Sequence, residues 1–198
     1  LTSNGKKLEE WGDKVQKSGD KIEKAGSKLS AFSAATVAAL VGASKSAIDF
    51  ETAFTGVEKT VDATPEQLEN IKQGIRDMAK EIPASTTEIA GVAEAAGQLG
   101  IKTENILSFS KAMIDLGNST NLTADEAASQ LAKFANIMNM SQSDFDKLGS
   151  SIVDLGNHFA TTEADIVEMA MRLAGAGKQV GLSEGQVLGL ATALSSVG

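Results

Sequence analysis

The residues able to do chemistry in this chain are few, and they stand apart from one another. His158 is the sole imidazole, beside Asn157, with Asp154, Glu163 and Asp165 as its nearest acids in sequence. A general base or a metal ligand needs companions held at fixed distances, so this histidine reads as a surface residue in a turn. Gly175-Ala176-Gly177-Lys178 matches part of a phosphate-binding loop. The full pattern requires Ser or Thr after the lysine and a strand before the loop; here Gln179 follows and no strand precedes. The acid pairs Glu9-Glu10 and Asp125-Glu126 suit helix exteriors and first turns, where the macrodipole favours carboxylates. Met78, Met113, Met138, Met140, Met169 and Met171 fall at helical spacings and read mainly as core, with a soft partner surface as the lesser alternative. The chain has no Cys, which excludes disulfides, thiolate chemistry and the usual zinc sites. No catalytic, cofactor-binding or metal site is expected.

What the sequence offers instead is a seam. Four heptads, GKKLEEW, GDKVQKS, GDKIEKA and GSKLSAF, run from Gly5 to Phe32. Leu8, Val15, Ile22 and Leu29 form one apolar row, and Trp11, Ser18, Ala25 and Phe32 follow three residues later. Apolar positions a and d at a period of seven make a helical face that needs a partner. The partner-seam candidates are therefore Leu8, Trp11, Val15, Ile22, Leu29 and Phe32. Gly5, Gly12, Gly19 and Gly26 recur in register, and each costs about 1 kcal/mol against Ala in a helix. The arm is expected to be helical only when its seam is buried.

The formal net charge of −8 is unevenly spread over the 198 residues. Residues 1–30 hold seven Lys against five acids, while the remainder holds eleven Lys and Arg against twenty-one. Tight nucleic-acid binding needs clustered cations, and the acidic body argues against it. The N-terminus has no secretory pattern. The longest uncharged stretch, Leu29 to Ser44, is shorter than the ~20 apolar residues needed to span a bilayer. It reads as a helix packed on helices, with a surface-active segment as the alternative.

After Phe32 a new face appears in Ala47, Phe50, Phe54, Val57 and Val61, with a break expected near Gly42. From Thr64 onward the chain is punctuated by helix caps. Thr64-Pro65-Glu66-Gln67 opens a helix that stops at Pro83. Ser85 with Glu88, Thr103-Glu104, Thr123 with Glu126, Ser141 with Asp144, Thr162 with Asp165, and Ser183 with Gln186 open the rest. Gly117 and Gly156 are expected to end their helices as left-handed C-caps. No alternating β-branched run competes.

Ile114-Asp115-Leu116-Gly117-Asn118 returns as Val153-Asp154-Leu155-Gly156-Asn157, a shift of 39, and Thr123 falls on Thr162 at the same shift. A partial third copy places Gly181-Leu182-Ser183-Glu184 on Asn139-Met140-Ser141-Gln142. The fold class is all-α: a heptad helix arm over residues 1–45, then a domain of antiparallel helix pairs over 46–198 with an internal repeat near 39 residues.

The run Ile48-Asp49-Phe50-Glu51 through Phe54 and Val57, then Val61-Asp62-Ala63-Thr64, resembles the opening of the core region of tail tape measure proteins of long-tailed phages and prophages. The likeness continues through residues 82–106, 113–128 and 152–184, and covers roughly 46–198. It implies a structural virion protein, lying in the lumen of the phage tail and made in the bacterial cytoplasm. Such a protein sets tail length during assembly and takes part in DNA delivery. The implied partners are further copies of itself in parallel, the tail tube protein, tail assembly chaperones and baseplate or tail-tip proteins, with host membrane contact after ejection. The resemblance also implies a much longer full protein, so this chain reads as a piece truncated within the core region. A membrane-active helical protein and a non-viral helical adaptor are the alternative readings.

The glycine register generates the first prediction. A peptide of residues 1–45 shows low helicity by circular dichroism as a dilute monomer and gains helix as its concentration rises. High helicity at the lowest concentrations would overturn the conditional-seam reading.

Overall fold

The computed structural model describes residues 45–197, and every regular element among them is helical. The seam candidates Leu8, Trp11, Val15, Ile22, Leu29 and Phe32, the stretch from Leu29 to Ser44 and the break expected near Gly42 lie outside the described residues.

Helix α1 covers 45–60. It is followed by α2 (Pro65–Glu81), α3 (Thr86–Gln98), α4 (Ile106–Ser119), α5 (Ala124–Met138), α6 (Phe145–His158), α7 (Glu163–Gln179) and α8 (Glu184–Ser195). Short 3-10 turns at Thr103–Asn105 and Gln142–Asp144 lead into α4 and α6.

Local chemistry sets the starts. Thr64, Thr123 and Ser183 each accept a hydrogen bond from the third helical N–H, while Gln67, Glu126 and Gln186 reach back to the cap N–H. Ser85 and Thr162 cap α3 and α7 through the side-chain oxygen. Each cap satisfies a donor that the helix leaves free. The stops are set by Pro83 beyond α2 and by left-handed residues: Gly100 at φ 79°, Asn139 at φ 54° and Gly181 at φ 83°. At each the following N–H donates back into the helix, from Ile101 to the Ala96 carbonyl, from Met140 to Ala135 and from Leu182 to Gly177. That is the Schellman arrangement.

Gly117 and Gly156 do not act as left-handed caps. Both are helical, and α4 and α6 run two residues past them to Ser119 and His158. Their role is steric. A Cβ on Gly117 would lie 2.8 Å from the backbone nitrogen of Ala124, and one on Gly156 would lie 2.5 Å from the Glu163 carboxylate. Gly117 thus lets α5 begin directly against α4, while Gly156 leaves room for the Glu163 side chain at the start of α7.

The pairing follows from chain length. From Ser119 to Ala124 the backbone spans at most ~18 Å, while α4 is about 21 Å long. Since α4 and α5 pack together, the chain turns back on itself. Helices α3, α5 and α7 pack in succession as one row, and α4, α6 and α8 as another, with α3 on α4, α4 on α5, α6 on α7 and α7 on α8. At one end, Thr60 of α1 donates to the Glu94 carbonyl of α3 at 3.2 Å, and α2 packs on α3 and α4. The bounds of α4 and α6 differ by 39 at both ends, as do those of the two 3-10 turns.

One continuous core lies between the rows. It takes in Phe54, Val57, Ile75, Ile89, Phe109, Met113, Leu131, Phe134, Ile152, Ile166, Val187 and many alanines. Phe50, Phe54, Val57 and Val61 are buried as their spacing indicates, but Ala47 is exposed. Of the methionines, Met113 and Met138 are buried, and the other four pack at the core's edge.

The glycine contacts give a paired test. Gly117→Ala lowers stability in urea denaturation by about 1–3 kcal/mol through overpacking against the Ala124 backbone. Gly91→Ala, in α3, raises stability by about 0.5–1 kcal/mol, because its Cβ meets nothing within 4 Å.

Candidate functional site

The sites weighed in the sequence resolve into surface and scaffold. His158 is exposed in the last turn of α6, with Nδ1 2.7 Å from the Asp154 carbonyl oxygen and 3.2 Å from its carboxylate. Both contacts are one helical turn away on the same helix. Neither Glu163 nor Asp165 is drawn to the ring: Asp165 pairs with Thr162 at the start of α7. Among the described residues no group of three His, Asp or Glu side chains is arranged to hold a metal ion.

Gly175 to Lys178 lies inside α7. Its backbone N–H groups are committed to helical bonds, so they cannot cradle a phosphate. Lys178 instead donates to the carbonyl of Met138 at 2.7 Å. A cation thus sits on the C-terminal end of α5, where carbonyls are left over and the dipole is negative. The absent side chain of Gly177 has its own purpose, since a Cβ there would meet Val187 at 2.7 Å.

A cleft of ≈ 560 Å³ lies between α4 and α6, walled by Lys111, Asp115, Asp146, Gly149, Val153 and Asp154. Lys111 donates to the Asp115 carboxylate at 2.5 Å. That bond, opposed by slight burial and aided by the negative charges of Asp115, Asp146 and Glu81, raises the lysine above its ordinary range. The cleft's main ionic partners are therefore spent on each other. It is open and shallow, with no side chain poised to transfer a proton.

The remaining electrostatics belong to helix starts and exposed faces. Glu126 is held below the usual carboxylate range first by the backbone N–H of Thr123, then by its hydroxyl. Asp77 is lowered by Lys80 and Gln73, and Lys147 is raised by Asp144. At the start of the rows, Lys72 and Arg76 both pair with Glu51. The same two cations lie 5.3 Å and 5.1 Å over the rings of Phe54 and Phe50. Sequence reasoning missed this last group, because its partners are brought together by the packing of two helices.

What the described residues present is therefore a helical scaffold with packing surfaces. No helix among them is long and apolar enough to cross a membrane. Residues 72–198 match the family of phage-related minor tail proteins, and the chain belongs to that family. It is accordingly a structural protein of the phage tail and a virion component. No curated protein and no solved structure matches the chain.

The capping boxes carry the pH prediction. Because Glu126 is lowered in the folded state, its contribution is present above the ordinary glutamate range and is lost as pH falls through its folded value. Thr123→Ala costs about 1 kcal/mol at neutral pH. It also flattens the acid side of the stability profile, measured by thermal melts at a series of pH values, relative to the unaltered protein.

Proposed function

We propose that this chain is a segment of a tail tape measure protein, which sets tail length during assembly and takes part in delivering DNA into the host. The observation that carries this reading is the ordered likeness over residues 46–198, joined to membership of the minor tail family over 72–198. The described body is all-helical, and membership of the minor tail family supports a structural task. In this reading the protein lies in the tail lumen as parallel copies. The tube protein, assembly chaperones and baseplate or tail-tip proteins are its partners. The acidic surface suits a protein that shares a channel with DNA and must release it.

Length separates the parts. A single helix of the 198 residues would reach about 300 Å at 1.5 Å per residue. Asp49–Gly198 is instead a compact unit, and a folded unit of that size has a radius of gyration near 15 Å. The body is thus a poor ruler, and the measuring falls to extended helix elsewhere in the protein.

In a phage that encodes this chain, duplicating the heptads from Gly5 to Phe32 lengthens the tail by up to about 42 Å at helical rise, seen by electron microscopy. Viable phage with tails of unchanged length would count against the tape measure reading. On the purified protein, small-angle scattering gives a compact body; a uniform rod near 300 Å would overturn the division of labour.

A further inference from the structure

Along one edge of the body the connectors are tied to one another from each helix pair to the next. The left-handed residues Gly100, Asn139 and Gly181 mark the same place in three successive pairs. Two side chains at fixed offsets from that place reach back to the pair before. The first stands three residues ahead of it. Asn136 Nδ2 donates to the Leu99 carbonyl at 3.3 Å, and Lys178 Nζ donates to the Met138 carbonyl at 2.7 Å. In both cases the acceptor is the residue just before the left-handed one.

The second stands three residues after it, at Thr103, Gln142 and Glu184. Thr103 Oγ1 donates to the Asp62 carbonyl at 2.8 Å. Gln142 makes a two-point contact: Oε1 accepts from the Lys102 N–H at 2.8 Å, and Nε2 donates to the Gly100 carbonyl at 3.1 Å. A carboxamide offers an acceptor and a donor side by side, so it closes the joint. At the next joint the Lys178 bond keeps the same register, but the closing place holds Glu184. This residue shares a cavity of ≈ 210 Å³ with Met140, Asp144 and Lys147. It is exposed, and its side chain has no hydrogen-bond or ion-pair partner among the described residues. A carboxylate only accepts, so it has nothing to give the Asn139 carbonyl, the counterpart of Gly100. Lys147, the cation on that wall, is already paired with Asp144 at 2.7 Å. Consistent with an open joint, α8 packs lightly on α6, whereas α6 packs closely on α4.

We propose that this position is a latch between successive helix pairs, closed by Gln142 and left open by Glu184. The start of α8 is then free to shift against α6, and the cavity beside Glu184 is the slack that permits it. The Lys178 bond on α7 is the tie that remains along this edge. At the joint closed by Gln142, α6 and α4 move together. The two joints differ at this place by one functional group, an amide against a carboxylate of nearly the same shape. Exchanging that group moves the hinge. The inference stands on register and hydrogen bonding and does not depend on the tape measure reading.

Amide hydrogen exchange followed by NMR on the full 198-residue chain tests the latch in both directions. Glu184→Gln supplies the missing donor. Exchange at Ser141, the counterpart of Lys102, and across residues 187–191 is expected to slow about fivefold, the effect of one ordinary hydrogen bond. Gln142→Glu is the reciprocal change, and exchange at Lys102 is expected to quicken about fivefold. Circular dichroism confirms that both variants keep their helices. The ordinary role of an acid in a first helical turn gives the opposite sign for Glu184→Gln, because the macrodipole loses a favourable charge. Unchanged or faster exchange at 187–191 in Glu184→Gln would therefore overturn the proposal. So would a Gln142→Glu protein in which the Lys102 amide keeps its protection. Each variant is compared with the unaltered chain, so fraying at the ends is common to both.

Discussion

Small residues at the helix crossings are the constraint on which this body depends. Its core has few aromatic side chains to fill space, so burial has to come from bringing backbones close together. Gly97 sits where a Cβ would press into Thr60 at 2.7 Å, Gly117 where it would strike Ala124, and Gly177 where it would strike Val187. With larger residues at these crossings the rows would move apart, and Ala90, Ala93, Ala128, Ala132 and Ala174 would no longer meet their neighbours. Dispersion falls off over fractions of an ångström, so a core this rich in alanine tolerates little separation.

The same economy governs the turns. Each connector ends one helix with a left-handed residue or a proline, or simply runs out, and α2, α3, α5, α7 and α8 then begin with a hydroxyl cap. The cap chemistry is local: Thr123 and Glu126, or Ser183 and Gln186, lie within one helical turn and can be read directly from the sequence. For that reason most helix starts and the all-α class were legible without coordinates. The roles of Gly117 and Gly156 were not, since a left-handed cap and a close crossing call for the same residue type. Only the neighbour's position separates the two, and that neighbour is set by packing. Gly100 and Gly181, which do take positive φ, carry no louder signal in the sequence.

The candidate chemistry shows a similar division. The isolation of His158 and the incomplete phosphate loop could be judged from composition and spacing alone. Where Lys178 goes instead, onto the Met138 carbonyl forty residues away, could not. Nor could the cover of cations over Phe50 and Phe54, which requires α1 and α2 to cross at one place.

An arrangement in which each helix leans chiefly on its immediate neighbours in the rows also determines how the body yields. A globule with interlocked elements resists as a whole and fails at once. Here the strong packing contacts of each helix are with those beside it in the rows, so a pull on one end is opposed mainly by the nearest crossings. Peeling α8 from α7 leaves the contacts of α3 with α4 untouched. Loss of α8 is thus felt first by α7 and α6, which it packs on, and last by α3.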